Sequence, residues 1–381
     1  MKVEDFIKVL DSDFYTGVPD SLLKPFCDYL VTTYSGYAKE HIIAANEGNA
    51  VGLAAGYYLA TGKIPVVYLQ NSGVGNIINP VTSLLSEDVY GIPCLFLVGW
   101  RGQPGILDEP QHVTMGKASE KLLRAAGVDV FIMSSDTDVF SLRKQLEHWK
   151  SELFSKGKSA ALLIEKNILK NDNHATYTNN YLLTREEILR VVTENMKDSY
   201  FICTTGKASR EVFEIRETTS ADHAHDLLLV GSMGHASSVA LEVAVQKPER
   251  QIVCIDGDGA LLMHMGAMPV IGYISPVNLI HIVINNGAHE SVGGMPTVAQ
   301  NLDLCGIAKS CGYLIAISAS TRDELQRTIK EIRNKQGPIF IEVKSKIGSR
   351  NNLGRPTQSP AANMREFMKS ISSDIAQNNK V

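Results

Sequence analysis

Two short motifs in the second half of the chain contain residue types that can bind a metal ion. The sequence DGDGA (residues 256–260) follows one apolar run, and NNGA (residues 285–288) follows the next. Asp258 offers a carboxylate and Asn286 an amide oxygen, which are hard ligands of the kind that suit Mg²⁺. If the two apolar runs are neighbouring parallel strands, both motifs lie at the same edge of a sheet. The sequence therefore predicts a magnesium site at that edge.

The same segment is suited to a phosphate group. Gly257 and Gly259 would let the backbone approach a phosphate closely, because neither carries a side chain. A helix that we expect to open at Ala260 would aim its free N–H groups at the same anion. Either motif alone is most often a simple turn, so the prediction depends on the two motifs occurring together.

Parallel sheets are what would bring these loops together. Short apolar runs alternate with longer helical patterns along the whole chain, which predicts an α/β fold with parallel sheets. The expected strands cover residues 14–16, 41–45, 66–70, 94–98, 128–133 and 160–165, then 201–204, 227–230, 252–255, 279–284 and 339–343. In open parallel sheets, ligands bind outside the carboxyl ends of the strands.

The chain is long enough for two domains. It has 381 residues, of which 44% are hydrophobic and 20% charged, so two sizeable cores can form. A polar segment without apolar periodicity interrupts the pattern. We predict a first domain at residues 1–166, a linker at 167–183 and a second domain at 184–381. Thr184 and Glu187 form an expected capping box at the first helix of the second domain.

Charge and cysteine usage exclude several classes of function. The net charge is −4, and no broad basic region predicts a nucleic-acid or membrane partner. The N-terminal residues are acidic where a signal peptide would be apolar, and no apolar run reaches the length of a membrane helix. The six cysteines are scattered, which indicates reduced thiols and no structural zinc. We expect a cytoplasmic protein.

The spacing of the two motifs adds a more specific signal. Gly259 and Asn285 are separated by 25 residues, and GDG followed at this distance by NN resembles the thiamine diphosphate signature of the decarboxylase and acetolactate synthase superfamily. The resemblance implies a pyrimidine-type domain, then a diphosphate-type domain, without the middle domain of longer members. It implies thiamine diphosphate and Mg²⁺ as cofactors, with Asp258, Asn286 and the backbone carbonyl of Ala288 as metal ligands.

Two further loops of the second domain resemble cofactor-binding segments of the same superfamily. Ser232 and Met233 belong to a GSMG sequence that resembles the segment whose bulky residue supports the bent cofactor. A core methionine is the alternative for Met233. Thr205 and Gly206 belong to TTGKAS, which resembles a second diphosphate loop, with an ordinary turn as the alternative.

The first domain supplies the expected catalytic acid. Glu47 precedes the apolar sequence AVGLAAGYYLATGK, and the resemblance implies that it hydrogen-bonds the aminopyrimidine of the cofactor. A glutamate stabilised by a helix N-terminus is the alternative. Gly73 belongs to a glycine-rich loop that resembles the one below the substrate. Asp20 and His112 are candidate proton-transfer residues; an N-cap and a solvated histidine are the alternatives.

Over almost its whole length the chain resembles the phosphonopyruvate decarboxylases, with the sulfopyruvate decarboxylases as close kin. The stretches TGVPDSLLKPF, QNSGVGNIINPVTSL, RGQPGILDEPQH and GSRNNLGRPT carry this resemblance. It implies conversion of 3-phosphonopyruvate to phosphonoacetaldehyde and CO₂, on the route to 2-aminoethylphosphonate. Three alternatives remain: a sulfopyruvate decarboxylase, an acetolactate-type carboligase and a non-catalytic thiamine-diphosphate-binding protein.

A doubly charged substrate must meet cations in its site. The candidate substrate-binding residues lie at strand ends or in loops and are Arg101, Lys207, Arg210, Arg350 and Arg355, together with His235 and His289. A solvated basic tail is the alternative for the two arginines after residue 349. The resemblance also implies a homo-oligomer with active sites between subunits, because the two cofactor domains of the superfamily come from different chains.

Overall fold

The computed structural model describes residues 1–34, 36–173 and 175–373 of the chain. These residues form two compact units. The first comprises Met1–Thr176 with Val292–Met295, and the second comprises Tyr177–Ser291 with the described residues from Pro296 onward. Each unit contains a six-stranded parallel sheet. The predicted α/β class with two parallel sheets is confirmed.

The first unit contains six strands in the order β2-β1-β3-β4-β6-β5. They are β1 (Tyr15–Gly17), β2 (His41–Ile43), β3 (Val66–Gln70), β4 (Leu95–Gly99), β5 (Asp129–Met133) and β6 (Ala160–Ile164). Its helices are α1 (Val3–Leu10), α2 (Lys24–Tyr34), α3 (Glu47–Thr61), α4 (Val74–Pro80), α5 (Pro110–Ala125) and α6 (Val139–Glu152).

The central strands of this sheet are buried on both faces. The sequences of β3, β4 and β6 are VVYLQ, LFLVG and AALLI, and nearly every residue in them is inaccessible to solvent. Such unbroken apolar runs are typical of parallel strands with helices on both sides. Helix α3 begins where the side chain of Asn46 accepts a hydrogen bond from the N–H of Gly48 at 2.7 Å. It ends at Gly62, which has a left-handed φ of 71°.

The second unit contains a sheet in the order β13-β14-β10-β9-β7-β8. Its strands are β7 (Tyr200–Cys203), β8 (Asp226–Leu228), β9 (Ile252–Gly257), β10 (Leu279–Asn285), β13 (Ile315–Ala319) and β14 (Ile339–Lys344). Two-residue strands outside the six-stranded sheets are β11 (Ala288–His289) and β12 (Met295–Pro296). The helices are α7 (Arg185–Asn195), α8 (Lys207–Thr218), α9 (Ala236–Gln246), α10 (Asp258–Met263), α11 (Ala267–Ile274), α12 (Leu304–Ser310), α13 (Arg322–Ile332) and α14 (Pro360–Ser373).

The observed elements differ from the predicted ones mainly at their ends. Strand β13 was not predicted, because it is a partly exposed edge strand whose small residues give a weak apolar pattern. The capping box of α7 is confirmed, since Thr184 and Glu187 each accept a hydrogen bond from the other's backbone N–H. Among the described residues, no helix is long and apolar enough to cross a membrane.

Candidate active site

The two motifs of the second unit lie at one edge of its sheet. Strands β9 and β10 are parallel neighbours, with Gly257 opposite Ile284. Because both strands end at this level, the loops that follow them start side by side, as the sequence predicted. Helix α10 begins at Asp258, two residues before the predicted start at Ala260, so Asp258 occupies its first position.

Asp258 is a buried carboxylate at the first position of α10. Its Oδ2 accepts a hydrogen bond from the hydroxyl of Thr297 at 2.5 Å, and no ion pair to it is found within the described ranges. Burial raises the pKa of Asp258 to about 6, although the hydrogen bond from Thr297 lowers it in part. A divalent ion would stabilise the charged form here, so the residue fits the role of a hard metal ligand.

Asn286 is held in one orientation by three hydrogen bonds. Its Oδ1 accepts from the N–H of Ala288 at 3.0 Å, and its Nδ2 donates to Glu290 at 2.9 Å. Its backbone carbonyl accepts from the side chain of Asn179 at 2.9 Å. Because a carbonyl oxygen has two lone pairs, Oδ1 keeps one of them for a metal ion.

Glu290 joins the Asn286 loop to the starts of two helices. Its carboxylate accepts from Lys207 at 2.9 Å and from Arg185 at 3.0 Å, and Arg185 also forms a bidentate pair with Glu211 at 2.7 Å. Burial alone would raise the pKa of Glu290, but Arg185 and Lys207 outweigh it and hold the pKa below its usual value. Glu290 was not among the predicted site residues, since a single glutamate outside a motif has no distinctive pattern.

The remaining loops predicted to bind the cofactor are linked at the same edge. The hydroxyl of Thr205 accepts a hydrogen bond from the N–H of Gly231 at 2.8 Å, which ties the loop after β7 to the loop after β8. Gly206, with a φ of 95°, directly precedes the first residue of α8. Ser232 is exposed and also has a positive φ, of 50°.

Gly259 lies against two of the predicted site residues. A Cβ atom at this position would lie 3.2 Å from Nδ1 of His289 and 3.4 Å from Cε of Met233. Both side chains therefore contact the first turn of α10. Burial lowers the pKa of His289 to about 4, so its ring is neutral at physiological pH. His235 is exposed, and its ring lies 4.3 Å from that of His264.

Glu47 of the first unit is the first residue of α3 and is only 5% exposed. Its Oε2 accepts a hydrogen bond from the side chain of Asn76 at 2.7 Å. A Cβ atom at Gly73 would lie 2.3 Å from the other carboxylate oxygen. Only a glycine at position 73 leaves room for the Glu47 carboxylate at this distance. The predicted site residues Gly73 and Glu47 are therefore in contact.

Asp20 is fully buried in the loop after β1. Its carboxylate accepts from the side chain of Gln70 at 2.6 Å and from the N–H groups of Leu22 and Leu23 at 3.1 and 3.3 Å. Burial raises the pKa of Asp20, and the hydrogen bond from Gln70 and the charge of Arg101 only partly offset this. The residue both caps the following turn and adjoins the end of β3.

Arg101 is already paired in the loop after β4. Its guanidinium forms a bidentate ion pair with Asp108 and donates to the hydroxyl of Ser21 at 3.1 Å. His112, the third residue of α5, is buried, and among the described residues its Nδ1 has no hydrogen-bond partner. Burial, followed by the charge of Arg101, lowers the pKa of His112.

The arginines near the C-terminal tail hold that tail in place. Arg350 pairs with Glu186 at 2.9 Å and with Glu214. Arg210 donates to the backbone carbonyls of Leu353 and Gly354. Arg355 is exposed. The predicted cations Lys207, Arg101 and Arg350 thus all have carboxylate partners.

Two family models match the chain. The model of the thiamine pyrophosphate enzyme N-terminal TPP binding domain covers residues 3–121, and that of the C-terminal TPP binding domain covers residues 204–343. The chain belongs to the thiamine pyrophosphate enzyme family. The two models cover the loops of Asp20, Glu47 and Gly73 in the first unit, and those of Asp258 and Asn286 in the second.

Individual relatives in this family match most of the chain. A phosphonopyruvate decarboxylase of Streptomyces viridochromogenes is 32% identical over 92% of this chain and 89% of its own length. A sulfopyruvate decarboxylase of Methanosarcina acetivorans is 27% identical over 85% of this chain and 86% of its own. The beta subunit of a sulfopyruvate decarboxylase of Methanococcus maripaludis is 30% identical over 44% of this chain and 88% of its own length. The alpha subunit from the same organism is 34% identical over 36% of this chain and 78% of its own length.

These comparisons confirm the predicted enzyme class. The chain is a thiamine pyrophosphate enzyme of the carboxy-lyase class, since the relatives that match most of its length are decarboxylases. Both cofactor domains are present, and no family model for a middle domain matches between them.

Proposed function

We propose that this enzyme decarboxylates 3-phosphonopyruvate to phosphonoacetaldehyde and CO₂, using thiamine diphosphate and Mg²⁺. The observation that carries the proposal is the likeness, along nearly the whole chain, to a protein named phosphonopyruvate decarboxylase. We further propose that the reaction serves the synthesis of 2-aminoethylphosphonate.

The residues of the second unit would hold the metal and the diphosphate. Asp258, Asn286 and the carbonyl of Ala288 would bind Mg²⁺, and the burial of the Asp258 carboxylate, which its hydrogen bonds offset only in part, supports this assignment. Met233 would support the cofactor rings. The backbone groups that would face the diphosphate belong to Thr205, Gly206, Ser232, Gly257, Gly259 and Ala260.

Glu47 would hold a proton against the aminopyrimidine nitrogen of the cofactor. When bound, thiamine diphosphate supplies the carbon nucleophile and the electron sink for decarboxylation. The hydrogen bond from Asn76 and the contact with Gly73 fix the position of the Glu47 carboxylate. A fixed acid is what a proton shared with one ring nitrogen requires.

One proton must replace the carboxylate that leaves. The bond between the keto carbon and the carboxylate carbon breaks, CO₂ departs, and the former keto carbon takes up a proton to become the aldehyde. We propose that Asp20 supplies this proton, because burial favours its protonated form. His112, whose pKa is lowered by burial, would act as the accompanying neutral base.

The phosphonate must be met by positive charge. Arg101 is the candidate cation nearest to the Asp20 loop, since it donates to Ser21, and Lys207 is the candidate next to the diphosphate loop. His289 is buried and neutral, so it would offer a hydrogen bond rather than a charge. His235, Arg350 and Arg355 are further candidates for binding the substrate.

Sulfopyruvate is the second candidate substrate, supported by the relative from Methanosarcina acetivorans. A sulfonate carries one charge where a phosphonate carries up to two, so the two substrates differ in the positive charge they require. We also propose that the chain forms a homo-oligomer, as the separate alpha and beta subunits of related enzymes suggest for assembly in this group.

Parallel steady-state assays would test the substrate. The purified enzyme with thiamine diphosphate and Mg²⁺ is given phosphonopyruvate, sulfopyruvate or pyruvate, and CO₂ release is followed. We expect kcat/KM to be highest for phosphonopyruvate by at least tenfold, which corresponds to about 1.4 kcal/mol. A higher value for sulfopyruvate would transfer the assignment to that substrate, and condensation of two pyruvate molecules would indicate a carboligase.

A further inference from the structure

Glu290 is a half-buried acid whose carboxylate lies beside the proposed metal site. Its side chain is 7% exposed, and its carboxylate accepts hydrogen bonds from Asn286, Arg185 and Lys207. These three donors come from three different parts of the second unit: the loop after β10 and the first residues of α7 and α8. An acid that receives three donors from separate elements holds those elements in a fixed arrangement.

The bond to Asn286 decides which atom of that amide faces away from Glu290. An ionised carboxylate only accepts hydrogen bonds, so it selects the NH₂ group of Asn286 and repels the oxygen. The observed Nδ2 to Oε2 distance of 2.9 Å fits this selection. With Nδ2 held by Glu290, the Oδ1 atom is left for Ala288 N–H and for a metal ion. A flipped amide would turn an NH₂ group toward the cation.

The bonds from the two cations hold the carboxylate in place. Arg185 is itself fixed by its bidentate pair with Glu211, whose side chain is 1% exposed. Lys207 directly follows Gly206 of the proposed diphosphate loop, so the Glu290 to Lys207 bond of 2.9 Å connects that loop to the Asn286 loop. Both loops would have to face the same magnesium diphosphate.

We propose that Glu290 is a positioning residue for the metal site, which orients the oxygen of Asn286 toward the divalent ion and ties its loop to the diphosphate loop. The inference rests on the proposed function, because it takes Asn286 as a metal ligand. Partners that orient metal ligands in this way commonly change metal affinity by about 10- to 100-fold when they are removed.

Direct metal binding tests the role. Mn²⁺ replaces Mg²⁺ in the full-length enzyme with thiamine diphosphate, and free Mn²⁺ is measured by electron paramagnetic resonance. Glu290→Gln should weaken Mn²⁺ binding by about 10- to 100-fold, because one donor of the glutamine must face Asn286, Arg185 or Lys207. The Mg²⁺ concentration for half-maximal activity should rise in parallel, while kcat at saturating metal changes far less, as expected when only binding is lost.

Glu211→Gln is the matched control, since it removes the same charge from the same cluster without touching Asn286. Glu290→Asp is the second variant, which keeps the charge but shortens the reach to Asn286. We expect Glu290→Asp to weaken Mn²⁺ binding and Glu211→Gln to weaken it by less than about threefold, well below the range for an orienting partner. If Glu290→Gln does not fold by circular dichroism, Glu290→Asp is judged against the same control.

Two results would contradict the inference. The first is that either Glu290 variant binds Mn²⁺ as tightly as wild type. The second is that Glu211→Gln weakens Mn²⁺ binding as much as Glu290→Gln does, which would show that only the net charge of the cluster matters. A wild-type enzyme that binds no Mn²⁺ in the presence of thiamine diphosphate would instead refute the metal site itself, and with it the proposed function. The two failures are therefore distinguishable.

Discussion

Single residues at the strand ends carry most of the proposed chemistry. Glu47 is fixed by one hydrogen bond from Asn76 and by direct contact with Gly73, and Asp258 is buried with no ion pair to any described residue. Both carboxylates are therefore held in position by neighbouring residues. Mutations at these positions should separate catalysis from folding.

Replacing Glu47 by glutamine should lower kcat by about 100-fold or more, the usual contribution of a positioned acid or base. The amide keeps the size of the side chain but cannot exchange a proton with the cofactor. Steady-state turnover at saturating thiamine diphosphate and Mg²⁺ measures the effect. Glu4→Gln, which changes an acid in the first turn of α1, serves as the control and should behave as wild type. Near-wild-type turnover of Glu47→Gln would remove Glu47 from the mechanism.

Replacing Gly73 by alanine should displace the same carboxylate without deleting it. The new Cβ would lie 2.3 Å from Oε1 of Glu47, well inside contact distance, whereas a Cβ at Gly75 would meet no atom within 4 Å. We expect kcat of Gly73→Ala to fall by about tenfold or more, since small misplacements of catalytic groups are costly. Gly75→Ala should keep both activity and thermal stability. Equal activity of the two variants would show that the position of Glu47 is not critical.

The sequence pointed to individual residues only where a spacing pattern exists. Asp258 and Asn286 were predicted because 25 residues separate Gly259 from Asn285, and their neighbouring strands confirm that their loops start side by side. Glu290 and Asn76 were not predicted as individual site residues, because a lone polar residue outside a spacing pattern is usually solvated. Their roles follow from side-chain contacts, which are the hydrogen bond from Asn76 to Glu47 and the one from Asn286 to Glu290.

Helices and strands set the geometry of the site through register. Parallel pairing of β9 with β10 brings both polar loops to one edge of the sheet. The same register places His281 opposite Cys254, and their side chains converge with Asp256 in the core. Periodicity alone predicted the strands but could not predict this convergence, since it depends on which strands are neighbours. Strand β13 was not predicted, because a partly exposed edge strand needs few apolar residues and so gives a weak apolar pattern.

The capping box of α7 gives a prediction about stability at this scale. Thr184→Ala removes the hydroxyl that accepts from the N–H of Glu187 at 3.2 Å. The free energy of unfolding should fall by about 1 kcal/mol, the usual value for loss of an N-cap. Urea unfolding followed by circular dichroism measures it. Ser238→Ala, an exposed change within α9, should leave stability almost unchanged. A loss in Ser238→Ala as large as that in Thr184→Ala would contradict the assignment.

Over the whole molecule, two parallel sheets carry two sets of loops, one with the candidate catalytic acid Glu47 and one with the candidate metal ligands Asp258 and Asn286. The alternation of apolar runs and helical patterns was sufficient to predict both sheets, because buried parallel strands need continuous apolar sequences. The substrate could not be read in the same way. The candidate cations Arg101, Lys207 and Arg350 each form an ion pair with a carboxylate, and no sequence pattern predicts these ion pairs.

Burial of histidine should make the whole molecule sensitive to acid. Burial lowers the pKa of His41 to about 4, whereas the unfolded chain should take up this proton near pH 6.5. Stability is therefore complete above pH 6.5 and falls as the pH drops toward 4, by at most about 1.4 kcal/mol per pH unit. His41→Gln should reduce the loss of stability between pH 7 and 5, measured by urea unfolding. The exposed His148→Gln is the control, and an unchanged pH dependence in His41→Gln would contradict the prediction.

Phosphorus NMR of the reaction tests the central claim most directly. Purified enzyme is incubated with 3-phosphonopyruvate, with and without thiamine diphosphate and Mg²⁺, and the phosphonate signals are followed over time. We expect the signal of phosphonopyruvate to be replaced by that of phosphonoacetaldehyde only when cofactor and metal are both present. Persistence of the phosphonopyruvate signal in the complete mixture, while sulfopyruvate or pyruvate is consumed under the same conditions, would contradict the central claim.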